Sequence, residues 1–388
     1  MAMGDPLKMT KVNVHRHVPF YRHDIGEAEK AAVFNVFDSE FLTTGHVTSH
    51  FESEFSSYVG TKYAVGVSSC TMGMFLALKY LGIGPGDKVL VPSMTFVASA
   101  NVIEHVGATP IFVDCRPDSA LMNLDHAEML LNQDKSIKGM IVVHLYGQMV
   151  DMKRVSKLKH QHNLFVIEDC AHCVEGNRDG IKPGQLSDTA AFSFYTTKNI
   201  TCGEGGAVAT NSKSMMEYLT KARLHGMNKS ALDRVTNYSH WDMEFLGYKC
   251  NMTDIMAGML LPQLERIDAT LEKRERLARR YEEALSPYVR LIHNETRNLR
   301  HAWHLWPILV DKRDDLIKYL KDRGIGTVVN YNPVHLTSYY HRKYGDQHLP
   351  NTVDIGGRVL SLPFYPSLTD EEQECVIKEV QLWTALQT

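Results

Sequence analysis

FSFYTTKNITCGEGGAVAT runs from Phe192 to Thr210. Phe192–Phe194 reads as strand, with Ser193 facing opposite to its aromatic neighbours. A loop follows. It carries one cation, Lys198, among small, hydroxyl-bearing and apolar residues, and leads into the glycine-rich turn Gly203–Gly206. A surface lysine ordinarily sits on a polar helix face. A lysine confined in an apolar pocket loses hydration and its pKa falls. It is then a nucleophile able to condense with a carbonyl. The surrounding fold has to supply that pocket.

On the N-terminal side, apolar strand-like runs alternate with amphipathic helical ones. Tyr63–Val67, Lys88–Val91, Pro110–Val113, Gly139–His144 and Leu164–Glu168 read as strands. Met72–Leu81 and Val97–His105 read as helices. This alternation predicts an α/β fold with a mostly parallel sheet covered on both faces. GIGPGD at Gly82–Asp87 follows a helix and precedes a strand, the reverse of the dinucleotide-binding order, so it reads as a helix stop and a turn.

On the C-terminal side the texture changes near Met256. Met259–Leu285 predicts one long helical stretch linking two lobes. HAWHLWPILV then reads as a strand, Arg313–Arg323 as a helix and Thr327–Tyr331 as a strand. A last helix begins near Thr369, where TDEE supplies a cap and first-turn acids. The expectation is a large domain over residues 1–260, with its N-terminal segment, and a smaller α+β domain over 261–388.

Apolar residues make up 44% of the 388 and charged residues 22%, a globular balance. A formal net charge of -3 gives no reason to expect nucleic acid or an anionic membrane as partner. No apolar run approaches the ~18–20 residues that span a bilayer, and the first residues hold no apolar signal core. The reading is a soluble, cytoplasmic protein. Seven scattered cysteines argue against a disulfide framework. Cys170-x-x-Cys173 has no second ligand pair at zinc spacing, so no metal is expected.

Four features fall at the ends of predicted strands, where open α/β sheets place ligands. Ser68, Ser69, Cys70 and Thr71 open a helix, and the free N–H groups there can cradle an anion or simply be capped. The strand ending at Glu168-Asp169 delivers a carboxylate, with His172 three residues on. Phe96 follows the strand Lys88–Val91 and offers a flat face for stacking. Lys198 is the fourth. An anion cradle, an aromatic face, a carboxylate and an amine are together what pyridoxal phosphate requires: phosphate, ring, ring nitrogen and aldehyde each find a partner.

The chain resembles the DegT/DnrJ/EryC1/StrS sugar aminotransferases, pyridoxal-phosphate enzymes of fold type I. The resemblance runs through SEFLTTGHVTSHFESEF, VPSMTFVASANVI, VIEDCAHCVEG, FSFYTTKNITCGEGGAVAT, GYKCNMTDIMAGMLLPQL, GIGTVVNYNPVHL and SLPFYPSLT. SSCTMGM, KNITCGEGG, HAWHL and LPNT look most like the branch containing UDP-4-amino-4-deoxy-L-arabinose aminotransferase. The resemblance implies a seven-stranded sheet in the large domain. It also implies that Lys198 carries the cofactor and shuttles protons, and that Asp169 pairs with the ring nitrogen. His172 would contact the ring oxygen and Phe96 would stack on the ring. Ser69, Cys70, Thr71 and Ser193 would hold the phosphate, joined across a homodimer interface by Lys249 or Asn251 of a neighbouring subunit. Tyr331, His335 and Glu204 would lie near the substrate. Cys70 departs from the family's glycine or alanine and Cys250 from its aromatic. A related dehydratase branch has histidine in place of the lysine.

The implied activity is transfer of nitrogen from L-glutamate, giving 2-oxoglutarate, to the keto group of a nucleotide-linked sugar, at C4 of a UDP-sugar by branch resemblance. A C3 aminotransferase on a dTDP-sugar, an aminocyclitol aminotransferase and a non-catalytic cofactor-binding regulator are the alternatives.

Overall fold

The structure is a computed structural model that describes residues 17–229, 240–293 and 298–387. Its centre is a seven-stranded sheet built from β1 (Tyr63–Val67), β2 (Lys88–Pro92), β3 (Thr109–Val113), β4 (Ile137–Val143), β5 (Phe165–Asp169), β7 (Thr189–Ser193) and β8 (Gly206–Thr210), with a two-residue β6 (Asn177–Arg178) outside it. The order is β1-β8-β7-β5-β4-β2-β3. The β2–β3, β2–β4, β4–β5 and β5–β7 pairs are parallel, and β8 is antiparallel to both its neighbours. Six strands therefore end on one edge of the sheet, and β8 begins there. The expected α/β class and mostly parallel sheet stand.

The central strands are buried on both faces, so they read as apolar runs rather than as alternations. Helix Cys70–Tyr80 crosses the sheet closely, because a Cβ on Gly73 would lie 2.7 Å from Val208 Cγ2. GIGPGD forms the predicted turn, with Gly82 and Gly86 at positive φ.

The C-terminal part of the chain holds β9 (Arg290–Leu291), β10 (Leu299–Arg300), β11 (Trp306–Leu309) and β12 (Val359–Leu362). A small antiparallel sheet runs β12-β11-β9, and β10 pairs back with β6. Helix Asp370–Ala385 begins at the predicted capping box of Thr369 and Glu372. Its apolar face joins a core with Tyr281, Trp306 and Leu362.

Three expectations are corrected. Met259–Leu285 is two helices, Asp254–Glu265 and Ile267–Leu285, broken at Arg266. That arginine holds the start of helix Glu27–Phe37 through Glu29 and the Asp24 carbonyl. Thr327–Tyr331 is not a strand. After one bridge, Val328 to Ser361, its backbone turns away and the Asn330 carbonyl accepts from the Tyr146 hydroxyl. In HAWHLWPILV only Trp306–Leu309 is strand, because Ala302 and His304 donate instead to the Gly147 and Tyr146 carbonyls. The expected boundary at 260/261 falls inside helix Asp254–Glu265, and Val18 packs into the C-terminal core.

Candidate active site

Cradle, carboxylate, aromatic and lysine all come to one edge of the sheet. β5 ends at Asp169, which is 5% exposed. Its Oδ2 accepts from Ser99 Oγ at 2.7 Å, and its Oδ1 from the Ala171 N–H at 3.1 Å. Cys70 Sγ lies 3.7 Å from Oδ1 and 3.3 Å from the Ala191 carbonyl. Burial pushes the Cys70 thiol well above its usual range, with the Asp169 charge adding to the effect.

Lys198 sits on the connection between the antiparallel neighbours β7 and β8. That loop is closed by Phe194 N–H to the Gly205 carbonyl at 2.8 Å and by Lys198 N–H to the Tyr195 carbonyl at 2.9 Å. Gln263 grips it from outside, accepting from Thr201 N–H at 3.0 Å and donating to its carbonyl at 2.7 Å. The Lys198 ammonium forms no hydrogen bond or ion pair with a described residue. Burial lowers its pKa from 10.5 to about 8, while Asp169 pulls the other way.

Ser69 caps helix Cys70–Tyr80, its Oγ accepting from Met72 N–H at 3.1 Å. The Cys70 and Thr71 N–H groups make no hydrogen bond to a described residue and remain available to an anion. Gly206 allows this approach, because a Cβ there would lie 2.5 Å from Cys70 N. Its strand partner is Ser193, which is 8% exposed.

His172 Nδ1 accepts from the Tyr146 N–H at 3.2 Å, and its Nε2 lies 3.0 Å from the Tyr331 hydroxyl. Burial, then Lys198, holds its pKa well below the usual value. The imidazole is therefore neutral, and with Nδ1 accepting, Nε2 carries the proton. Phe96 is 55% exposed, its ring 5.8 Å from that of Tyr331. The Tyr331 ring in turn lies 5.9 Å from that of His172, so the aromatic and the imidazole flank one tyrosine.

Other expected residues are placed less simply. Asn251 is bridged to Val67 in its own chain and donates to Thr43 Oγ1 at 2.9 Å. Lys249 is exposed and reaches Asn251 Oδ1 at 2.5 Å. Glu204 is exposed on the turn after the lysine. His335, expected near the substrate, lies inward in the single chain. Its ring is 1% exposed, bonded through Nδ1 to Ser93 Oγ at 2.6 Å, and packed near Phe112.

Sequence reasoning missed Ser99, Asn199, Glu175, Arg274 and His304. HAWHL marked His304 only as part of a motif. Cys170 and Cys173 are buried free thiols. Among the described residues, one set of donors is close enough for a metal: His144, Glu168 and Cys170. The His144 and Glu168 atoms are already used, with His144 Nε2 2.6 Å from Glu168 Oε2, His144 Nδ1 accepting from Val150 N–H, and Glu168 Oε1 accepting from Gly184 N–H. It reads as a satisfied core pair.

A match to the DegT/DnrJ/EryC1/StrS aminotransferase family spans residues 23–381. The chain belongs to that family. It is similar to the spore coat polysaccharide biosynthesis protein SpsC of Bacillus subtilis, at 38% identity over 94% of this chain and 96% of that protein. Among solved structures, the putative sugar aminotransferase Spr1654 from Streptococcus pneumoniae in its PMP form superposes with a TM-score of 0.90 at 30% identity, covering 96% of this chain and 100% of that one. DesV from S. venezuelae, solved with a ketimine intermediate, gives 0.85 at 32%, covering 92% and 95%. Among the described residues, no helix is long and apolar enough to cross a membrane.

Proposed function

We propose that this aminotransferase moves the amino group of L-glutamate to the keto group of a nucleotide-linked sugar, at C4 of a UDP-sugar. Pyridoxal phosphate is the cofactor. Spr1654 is solved in PLP and PMP forms and DesV with a ketimine intermediate, and the residues here fit the cofactor group for group. When bound, it supplies an electron sink for the carbanion formed as a proton leaves the substrate.

The observation that carries the reading is the placement of Lys198 on the β7–β8 loop at the strand edge where Asp169 ends β5, its ammonium without a hydrogen-bond or ion-pair partner among the described residues; burial lowers its pKa to about 8. Lys198 would hold the cofactor through its aldehyde, and its amine would take and return the substrate proton. Asp169, oriented by Ser99 and the Ala171 amide, keeps the ring nitrogen protonated. His172 Nε2–H, here directed at the Tyr331 oxygen, donates to the ring oxygen. The Cys70 and Thr71 amides and Ser193 hold the phosphate, and Phe96 covers the ring. Lys249, exposed in the single chain, reaches the phosphate of a second subunit in a homodimer. Tyr331 and Glu204 border the sugar nucleotide, and the enzyme works in the cytoplasm.

The test is the visible spectrum of the purified protein with pyridoxal phosphate, followed by L-glutamate. A yellow band that glutamate bleaches supports the first half-reaction. Turnover of a panel of UDP- and dTDP-keto-sugars then identifies the acceptor. A protein that forms no band overturns the cofactor reading, and a bleached enzyme that accepts no sugar nucleotide overturns the substrate.

A further inference from the structure

Lys198 is followed by Asn199, whose carboxamide is the hub of a buried polar network. Asn199 Nδ2 lies 2.8 Å from each Glu175 carboxylate oxygen and 2.8 Å from the Ala302 carbonyl. All three are acceptors, so the nitrogen has to face them and the orientation of the amide is determined. Asn199 Oδ1 then faces His304 Nδ1 at 3.0 Å. An amide oxygen only accepts, so His304 carries a proton on Nδ1. Arg274 completes the set, 3.3 Å from Glu175 and donating at 3.1 Å to the Asn199 carbonyl. Glu175, Arg274 and His304 are 0%, 5% and 6% exposed.

The members come from four parts of the fold: the turn after β5, the β7–β8 loop, helix Ile267–Leu285 and the stretch before β11. The His304 ring lies 4.2 Å from the His172 ring. The network therefore touches both side chains that face the pocket from this side, Lys198 through the adjoining peptide and His172 through ring packing.

We propose that Asn199 and His304 are positioning residues: the amide clamped between Glu175 and His304 fixes the backbone that carries Lys198, and the His304 ring backs His172 so that its Nε2 faces the pocket. The inference rests on the aminotransferase reading only for what Lys198 and His172 meet there. Displacement of a reacting group by about 1 Å can cost on the order of a hundredfold in rate, so such a clamp has a large lever.

Three variants separate the parts. Asn199→Asp is isosteric but offers Glu175 no donor. His304→Phe keeps a ring against His172 and removes the Nδ1 donor. His304→Asn keeps a donor near the Nδ1 position and removes the ring. Amide hydrogen exchange of residues 195–205 is measured in the cofactor-free proteins. Pyridoxal phosphate is then titrated in, and the visible band is followed against pH. Asn199→Asp and His304→Phe are expected to speed loop exchange by about tenfold or more and to move the pH midpoint of the band by roughly half a unit or more. His304→Asn is expected to leave loop exchange near wild type and still move the midpoint. Exchange and midpoint unchanged in both His304 variants overturn the proposal, whether or not Asn199→Asp folds. If the wild type shows no visible band, the cofactor reading fails, and loop exchange in the same cofactor-free proteins decides the clamp by itself.

Discussion

Lys198 is made useful by its surroundings rather than by a partner. Burial lowers its pKa from 10.5 to about 8 despite the attraction of Asp169. The folded state thus binds this proton less tightly than the unfolded chain. The group opposes folding below about pH 8, and that opposition fades as pH rises towards 10.5. Trinitrobenzenesulfonate labelling of Lys198 in the cofactor-free protein, read by peptide mapping, should rise through a midpoint near pH 8. A midpoint like that of surface lysines would show a pocket open to water. Lys198→Ala removes a cation that folding strains to bury, so turnover should fall by at least about 10²–10⁴-fold while the melting temperature at pH 7 does not fall. Asp169→Asn keeps the shape but cannot hold a proton on a ring nitrogen. A loss of about a hundredfold in kcat is expected, equivalent to ~2.7 kcal/mol in the barrier, with the hydrogen bond from Ser99 retained.

At the scale of elements, the site depends on how closely β8 lies against the first turn of helix Cys70–Tyr80. A Cβ on Gly206 would meet Cys70 N at 2.5 Å, the Ser69 carbonyl carbon at 2.5 Å and Phe192 O at 2.7 Å, all of them backbone atoms. Nothing there is the yielding end of a side chain. Gly206→Ala should therefore cost about 1–3 kcal/mol in denaturant unfolding. It should also weaken cofactor binding, because the strand has to move off the phosphate donors. Unchanged affinity with reduced stability would mean the cradle stands clear of β8. The turn glycines, strand ends and N-cap around this contact were all legible locally in the sequence. The distance between β8 and the helix was not, since it is set by sheet order.

At the scale of the whole molecule, the N-terminal and C-terminal parts are joined through charge and through a shared core. Arg274 of helix Ile267–Leu285 meets Glu175, in the turn after β5, at 3.3 Å, both side chains buried. Ile292, Leu305 and Val359 of the C-terminal part sit in one core with Leu90, Met140 and Val166 of the sheet. Glu175→Gln leaves the Arg274 charge without its counter-ion and should destabilise the protein by about 3–5 kcal/mol in equilibrium unfolding. A change below about 1 kcal/mol, the range of exposed ion pairs, would show that water reaches the pair.

The sequence alone determined the elements whose signals are local. Alternating strands and helices, the cap at Thr369, the turn at Gly82–Asp87, and the order of cradle, aromatic, carboxylate and lysine could all be read along the chain. Each depends on neighbours within a few residues, and the strand-end rule for open sheets places the four ligand features together. Only the tertiary structure decided the rest. Thr327–Tyr331 has a strand's composition, yet its polar groups are taken by Tyr146 and His172, residues far away in the chain. Helix His46–Val59 starts at Gly45 without a side-chain cap of its own, and Asp254 supplies the acceptors from 209 residues away. The family resemblance puts His335 near the substrate, and only the packing shows that its side chain is 1% exposed and bonded to Ser93. Asn199 and His304 stand 105 positions apart, and nothing along the chain marks them as partners. Local pattern records what a residue can do next to its neighbours, whereas long-range hydrogen bonds and burial exist only once the sheet has brought distant segments into contact.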